Sequence, residues 1–181
     1  MQKKYIFLDR DGVINEDLFD YVTSPKEFKF IKGSLEAITA LSDAGYQIIV
    51  VTNQACVGTG IATINQINQV NEFMTQKVIK NGGRIDKVFV CPHRQDAGCK
   101  CRKPEIGLMV QAEKELQQSL RGIYFIGDKE SDIQAGLNYG CIPLLVLTGY
   151  GSSAVKKGSL SKSIKTFSNL KAAVEYVLDN D

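Results

Sequence analysis

Five short stretches of the chain are apolar almost without interruption: Tyr5–Leu8, Gln47–Thr52, Lys87–Cys91, Ile123–Gly127 and Leu144–Leu147. They are rich in Val, Ile, Phe and Tyr and do not alternate with polar residues, as expected of strands covered on both faces. Between them the apolar positions change to helical spacing. Ser34–Ala44 places Leu35, Ile38 and Leu41 on one side and stops at Gly45. Thr63 and Gln66 form a capping box ahead of Ile67, Val70, Met74 and Val78, and Gly82-Gly83 ends that helix. Leu108–Leu120 carries Met109, Ala112 and Leu116 at similar intervals. Ser131–Tyr139 stops at Gly140, a C-terminal cap, and Ser168–Leu178 places Leu170, Val174 and Val177 on one face. Strand and helix alternating five times predict an α/β fold of three layers: a doubly wound parallel sheet with helices on both faces. Gly149–Ser163 is polar and reads as a flexible loop.

Composition leaves this picture standing. The chain has 181 residues, 44% of them hydrophobic and 23% charged, which excludes a disordered or fibrous protein and predicts a single domain over residues 1–181. No internal repeat or linker divides it. No apolar run is long enough to span a membrane, and the run after Met1–Lys4 is too short for a signal peptide, so a cytoplasmic protein is expected. Lys and Arg number 22 against 20 Asp and Glu, a net charge of +2. Nucleic acid is not an expected partner, because phosphate contacts need clustered basic residues. A monomer acting on a small molecule is expected.

Ligands of such sheets bind beyond the carboxyl ends of the strands. The first strand runs into Asp9-Arg10-Asp11-Gly12, the second ends at Thr52-Asn53-Gln54, the third leads through a short loop to Arg102-Lys103, and the fourth ends at Gly127-Asp128-Lys129 with Asp132 one turn on. Carboxylates ending separate strands on one edge repel unless a cation lies between them. Mg²⁺ takes oxygen ligands and binds through one or two carboxylates plus phosphate, and Asp9 and Asp128 suit it. This set can perform phosphoryl transfer. Asp9 can attack phosphorus and form an aspartyl-phosphate. Asp11, pointing the same way two residues on, can protonate the leaving oxygen and then activate water. Lys103 and Thr52 can hold the transferring phosphoryl oxygens.

The string Phe7-Leu8-Asp9-Arg10-Asp11-Gly12-Val13-Ile14-Asn15 resembles the first motif of the haloacid dehalogenase (HAD) superfamily phosphatases, and Thr52, Lys103 and Gly127-Asp128-x-x-x-Asp132 resemble the other three. Within the superfamily the chain is similar to the branch of histidinol phosphatases and D-glycero-D-manno-heptose 1,7-bisphosphate phosphatases. Val51-Thr52-Asn53-Gln54, Cys91-Pro92-His93 and Cys99-x-Cys101-Arg102-Lys103-Pro104 carry that similarity. Tyr21-Val22, Phe28–Ile31, Gly127–Lys129 and Leu147–Gly149 favour the heptose side; the short loop between His93 and Cys99 favours histidinol phosphatases. The resemblance implies a HAD-like fold with a minimal cap, hydrolysis of a small phosphorylated sugar, and Mg²⁺ held by Asp9, Asp128 and the backbone carbonyl of Asp11. It also implies substrate contacts from Arg102 and Lys129, from Asp17–Tyr21 (Asp17 and Tyr21 among them), and from Thr52–Ala55, which includes Asn53, Gln54 and Ala55. Asp132 is assigned to orienting Lys103.

Cys91, His93, Cys99 and Cys101 fall within residues 91–101 and make a Cys₃His set, which predicts a tetrahedral Zn²⁺ site. Four protein ligands close the metal's shell, so the zinc is expected to be structural and to fix where Arg102 and Lys103 point. Cys56 and Cys141 lie outside the pattern. Two other function classes stay open. A site without a cap can admit a DNA 3′-phosphate or a phosphoprotein, and a zinc-stabilised binding module can retain such a fold with a dead site. The complete set of Asp9, Asp11, Thr52, Lys103 and Asp128 favours a living enzyme.

Overall fold

The computed structural model describes residues 3–158 and 160–181; Met1, Gln2 and Ser159, on which the readings of the N-terminus and of segment 149–163 partly fall, lie outside the described residues. β1 (Lys4–Leu8) is central. β2 (Tyr46–Asn53) and then β3 (Lys87–Cys91) lie on one side of it, and β4 (Tyr124–Gly127), β5 (Ile142–Val146) and β6 (Lys165–Phe167) lie on the other. Every neighbouring pair is parallel.

The continuous apolar runs are explained by what covers each face. Side chains alternate along a strand. Ile6 and Leu8 of β1, with Ile48 and Val50 of β2, face one core, which α1 (Ser34–Asp43), α3 (Ile64–Lys80) and α7 (Leu170–Asp179) close. Tyr5, Phe7, Ile49 and Val51 face the opposite core, closed by α4 (Gly107–Leu116) and α5 (Glu130–Tyr139). Helices therefore cover both faces, giving the three expected layers. Between Asp11 and Thr52 the chain forms α1 and most of β2. Between Thr52 and Lys103 it forms α2 (Ala55–Gly58), α3 and β3.

The chain departs from its pattern at the C-terminal third. β6 adds a sixth strand, of only three residues at the sheet edge and with one half-buried side chain, Phe167. Such a segment leaves no apolar run to read. The expected loop at Gly149–Ser163 contains α6 (Gly151–Lys157), of which only Gly151 and Ala154 are buried. Gly151 is required by space: a Cβ there would stand 1.8 Å from the Val146 carbonyl oxygen at the end of β5. α4 stops at Leu116 rather than Leu120, because Gln117 turns to a left-handed backbone with φ of 51°.

The capping box stands as read: the Gln66 N–H donates to Thr63 Oγ1 at 3.2 Å, and the Thr63 N–H donates to Gln66 Oε1 at 2.8 Å. Thr63→Ala should lower the unfolding free energy by about 1 kcal/mol. In urea denaturation the midpoint should fall with the slope unchanged; an unmoved midpoint would mean that α3 is fixed by packing alone.

Candidate active site

β1 and β4 are in register with Leu8 opposite Ile126, and the Asp9 N–H donates to the Ile126 carbonyl at 2.9 Å. Asp9 and Asp128 therefore leave adjacent strands side by side. One carboxylate oxygen each from Asp9, Asp128 and Asp132 lies within 4.8 Å of the others. All three residues are buried, as is Lys103.

Lys103 supplies a counter-charge from within the chain. Its Nζ lies 2.8 Å from Asp9 Oδ1 and 2.7 Å from Asp132 Oδ1, and donates to the Val51 carbonyl at 2.8 Å. Three oxygens thus surround the ammonium, two of them charged. Burial alone would push the Lys103 ammonium down, but Asp132 and Asp9 more than offset it and hold it above its ordinary value. The expected link from Asp132 to Lys103 is thus direct. Asp132 does a second task, because its Oδ2 accepts the N–H groups of Asp128 at 3.2 Å and Lys129 at 2.9 Å at the start of α5. Both of its oxygens are engaged.

Asp128 is the exception. Its Oδ2 accepts the Tyr150 N–H at 2.8 Å, but its Oδ1 is buried without a hydrogen-bond partner. Burial, reinforced by the Asp132 charge, pushes the Asp128 carboxyl well above the usual carboxylate range. Burial likewise pushes Asp9 up to about 6; Lys103 pulls it down, and Asp132 adds to the rise. A pair of desolvated carboxylates with one bare oxygen is a fit for a divalent cation, whose charge would reverse both shifts.

Asp11 sits in a different environment. Its Oδ1 accepts from Arg10 and from Asn15 Nδ2 at 2.9 Å, and its Oδ2 from Arg10 Nη2 at 3.0 Å and Gln54 Nε2 at 2.7 Å. Burial would raise the Asp11 carboxyl, but the Arg10 guanidinium and these hydrogen bonds outweigh it and hold it below the usual carboxylate range. Gln54 Nε2 also donates to Thr52 Oγ1 at 2.9 Å, tying the second strand end to the first. Asn53 exchanges two bonds with the Lys103 backbone, each 3.1 Å, and so fixes where that lysine enters.

A cleft of about 1120 Å³ opens over this edge. It is lined by Asp9, Asp11, Thr52 and Lys103, and by every expected substrate contact: Asp17, Tyr21, Asn53, Gln54, Ala55, Arg102 and Lys129. Lys129 Nζ pairs with Asp17 Oδ2 at 2.9 Å. Burial would lower the Lys129 ammonium, but Asp128, Asp9 and Asp17 keep it well above its ordinary value. Arg102 Nη1 is a buried donor without a partner among the described residues.

The cysteine loop begins where β3 ends. Cys101 Sγ lies 3.2 Å from both Cys91 Sγ and His93 Nδ1, and 3.6 Å from Cys99 Sγ; Cys91 and Cys99 are 3.7 Å apart. Ligands at ~2.0–2.3 Å from a tetrahedral zinc stand at comparable separations. The four are compatible with a zinc site. Burial and the two neighbouring sulfurs push Cys101 up to about 12, so a cation is needed to hold it as thiolate. Gly107 lets α4 start against this loop, since a Cβ there would stand 2.3 Å from the Lys100 carbonyl oxygen. Cys56 and Cys141 are buried, and neither belongs to the cluster.

Several residues of the site escaped the reading of the strand ends. Arg10 is wholly buried and donates to Asn71 Oδ1 of α3 at 2.9 Å. Asn71 had a signal: it is a polar residue inside the apolar stripe of Ile67, Val70, Met74 and Val78. Tyr150, Ser153 and Lys157 also line the cleft, from the segment read as a loop. Thr148 donates to the Gly12 carbonyl at 2.5 Å and holds the turn after β1.

The HAD-hydrolase-like family profile matches residues 100–173. The chain is 36% identical over 97% of its length, and 98% of the relative's, to D-glycero-beta-D-manno-heptose-1,7-bisphosphate 7-phosphatase of Bordetella bronchiseptica. It is 39% identical to the Helicobacter pylori J99 enzyme of that name over 80% of this chain and 83% of the relative. A crystal structure of the B. bronchiseptica phosphatase complexed with magnesium and phosphate superposes with a TM-score of 0.94 at 35% identity, covering 98% of this chain and 99% of that one. No helix among the described residues is long and apolar enough to cross a membrane.

Removing Lys103 would leave two buried carboxylates uncompensated. Without divalent cations, Lys103→Met should destabilise the fold by about 3–5 kcal/mol. Adding Asp132→Asn should recover part of the loss, a coupling that a double-mutant cycle of denaturation midpoints reads directly. Simple additivity of the two losses would mean that the ion pairs contribute nothing to stability.

Proposed function

The chain belongs to the heptose-1,7-bisphosphate 7-phosphatase family of HAD-like hydrolases, and on that premise we propose that it is a phosphoric monoester hydrolase removing the C7 phosphate of D-glycero-D-manno-heptose 1,7-bisphosphate, in heptose and lipopolysaccharide precursor synthesis. The observation that carries this reading is the pair of buried carboxylates, Asp9 and Asp128, at the matched ends of β1 and β4 with Lys103 beside them.

Asp9 attacks phosphorus, the bond from phosphorus to the sugar oxygen breaks, and that oxygen takes a proton from Asp11. Asp11, now a carboxylate, takes a proton from water, and the water oxygen attacks the aspartyl-phosphate. Inorganic phosphate leaves and Asp9 is regenerated. The Arg10, Asn15 and Gln54 contacts suit Asp11 to the second half, where it must act as a base. A phosphate dianion beside it opposes those contacts and favours the proton required in the first half. Lys103 and Thr52 hold the phosphoryl oxygens as charge moves onto them. Asp9, Asp128 and the Asp11 carbonyl would hold Mg²⁺, which when bound offsets the repulsion between Asp9 and the incoming phosphate.

Arg102 and Lys129 take the second phosphate at the rim. The buried, unpartnered Arg102 Nη1 supports this, since an arginine fork suits bidentate phosphate contact. Histidinol phosphate would instead need a free carboxylate for its amine. Asp17 is paired with Lys129 and Glu16 does not line the cleft, so that task would fall to Asp20, Glu105 or Glu130 at its edge. Asp17, Tyr21, Asn53, Gln54 and Ala55 complete the sugar and phosphate contacts, Asn53 and Gln54 partly through Lys103 and Asp11. Zn²⁺ on Cys91, His93, Cys99 and Cys101 holds the loop that delivers Arg102 and Lys103. The chain acts as one domain and as a monomer, the site being built from one copy. We place it in the cytoplasm, where free thiols persist for a zinc site.

Asp9→Asn should abolish turnover, and Asp11→Asn should lower kcat by about 10²–10⁴-fold. An Asp9→Asn enzyme with about a tenth of the wild-type rate would overturn the nucleophile assignment. Arg102→Ala should raise KM for the heptose bisphosphate far more than for a simple monophosphate, each lost charged hydrogen bond costing roughly 1.5–3 kcal/mol. A wild-type preference for histidinol phosphate would remove the heptose reading and leave a phosphatase.

The two metals should separate on chelation. Mild EDTA should stop activity until Mg²⁺ is restored, while zinc stays with the protein. Cys101→Ser should release zinc and lower thermal stability, because structural zinc contributes folding free energy directly. Elemental analysis finding no zinc in protein produced with zinc would exclude the four-ligand assignment.

A further inference from the structure

Three loops meet at one aromatic ring on the cleft. Tyr150, just after β5 and before α6, sits edge-on to Phe19 with centroids 5.1 Å apart, and Lys129 Nζ lies 4.6 Å from the centre of its ring. Phe19 belongs to the segment after β1 and Lys129 follows β4. Phe19 is 67% exposed and Tyr150 37%, although both line a cleft whose other side chains are mostly charged or amide. Phe19 also has φ of 57°, a backbone conformation that bulky side chains rarely adopt. Its N–H donates to Asp17 Oδ1 at 2.8 Å, which fixes that turn while Asp17 Oδ2 holds Lys129. Ordinary folding economy would bury such a ring; here a strained residue holds it out over the site.

We propose that Tyr150 is a specificity-determining residue, its ring forming with Phe19 the wall that receives the carbon face of the substrate's sugar ring. The inference rests on the sugar-phosphate reading given above and adds to it a residue from the polar segment after β5. A pyranose carries hydroxyls around its edge and C–H groups on its faces, so it needs an apolar surface next to polar groups. Tyr150 offers both in one place: an aromatic face, and the ammonium of Lys129 held against it by a cation–π contact. The main chain that carries the ring is anchored as well, because the Tyr150 backbone N–H donates to the buried Asp128 carboxylate. The wall is thereby indexed to the reacting phosphate, with no mobile cap needed to bring it there.

The test compares three esters, heptose 1,7-bisphosphate, mannose 6-phosphate and glycerol phosphate, on wild type, Tyr150→Leu, Tyr150→Phe and Phe19→Ser. Tyr150→Leu keeps the backbone bond to Asp128 and removes only the ring. It should raise KM for the two sugar phosphates about tenfold more than for glycerol phosphate, with kcat changing far less than KM. Tyr150→Phe should keep the wild-type discrimination, because the ring face acts rather than the hydroxyl, and Phe19→Ser should lose part of it. Equal KM increases on all three esters, or a Tyr150→Phe enzyme as impaired as Tyr150→Leu, would overturn the proposal. A wild type that prefers mannose 6-phosphate to the heptose bisphosphate would instead overturn the heptose reading and leave the aromatic wall standing.

Discussion

A lysine ammonium buried among carboxylates organises this molecule. Lys103 reaches Asp9 and Asp132 at hydrogen-bonding distance, and one oxygen of Asp128 lies within 4.8 Å of an oxygen of each. Two unit charges 4 Å apart interact by about 4 kcal/mol at an effective dielectric constant near 20. Three buried carboxylates relieve several such repulsions only by taking up protons or by holding cations among them. The fold answers this locally with whatever each element has to offer. β2 contributes the Val51 carbonyl, the start of α5 is capped by Asp132, and Asn53 clamps the Lys103 backbone. Asp128 Oδ1, with neither a hydrogen bond nor an ion pair among the described residues, marks where an added cation has most to gain.

That constraint ties the cysteine loop to the carboxylates although the two are separate clusters. Cys101 is two residues from Lys103, and the backbone N–H of Gln54, whose side chain orients Asp11, donates to the Cys91 carbonyl at 2.8 Å. The loop is therefore anchored to both cationic and acidic halves of the site. A displaced loop would withdraw the ammonium that keeps Asp9 and Asp132 compatible. Electrostatics inside the site thus depend on a cluster of sulfurs at its margin.

The sheet was legible because its central strands carry their message in composition alone. A run such as Tyr5–Leu8 is apolar on both faces, and the residue after it must then sit at an edge. The same logic located Asp9, Thr52 and Asp128. It failed where burial is one-sided or slight. β6 has only Phe167 to bury, and α6 only Gly151 and Ala154, so neither rises above the polarity of its surroundings. Residues that act through others were also hidden. Arg10 stood in plain view inside the Asp-Arg-Asp-Gly string, yet nothing local says that its guanidinium turns inward to meet Asn71, sixty-one positions away. Such a pairing is a property of where α3 meets the turn after β1, which periodicity cannot supply. Lys129 is legible as a substrate contact, but nothing local says that it also pairs with Asp17, 112 positions distant.

The glycines around Asp128 reach the same site from the opposite direction. A Cβ at Gly12 or at Gly149 would stand 2.2 Å from Asp128 Oδ2, and one at Gly127 would stand 2.3 Å from the Asp132 Cβ. Gly12 and Gly149 lie in different loops, after β1 and β5, and both have positive φ, 84° and 55°. Each is thus doubly committed, by backbone conformation and by the carboxylate it must clear. A turn needs one glycine for its own geometry. Two turns that converge on one carboxylate oxygen, from strands on either side of β4, are a packing requirement of the site. The scaffold has given up side chains on both flanks so that Asp128 fits between the loops with one oxygen bonded and the other bare. The bare oxygen is therefore a built feature of the fold, since the same loops that crowd Oδ2 leave Oδ1 without a donor.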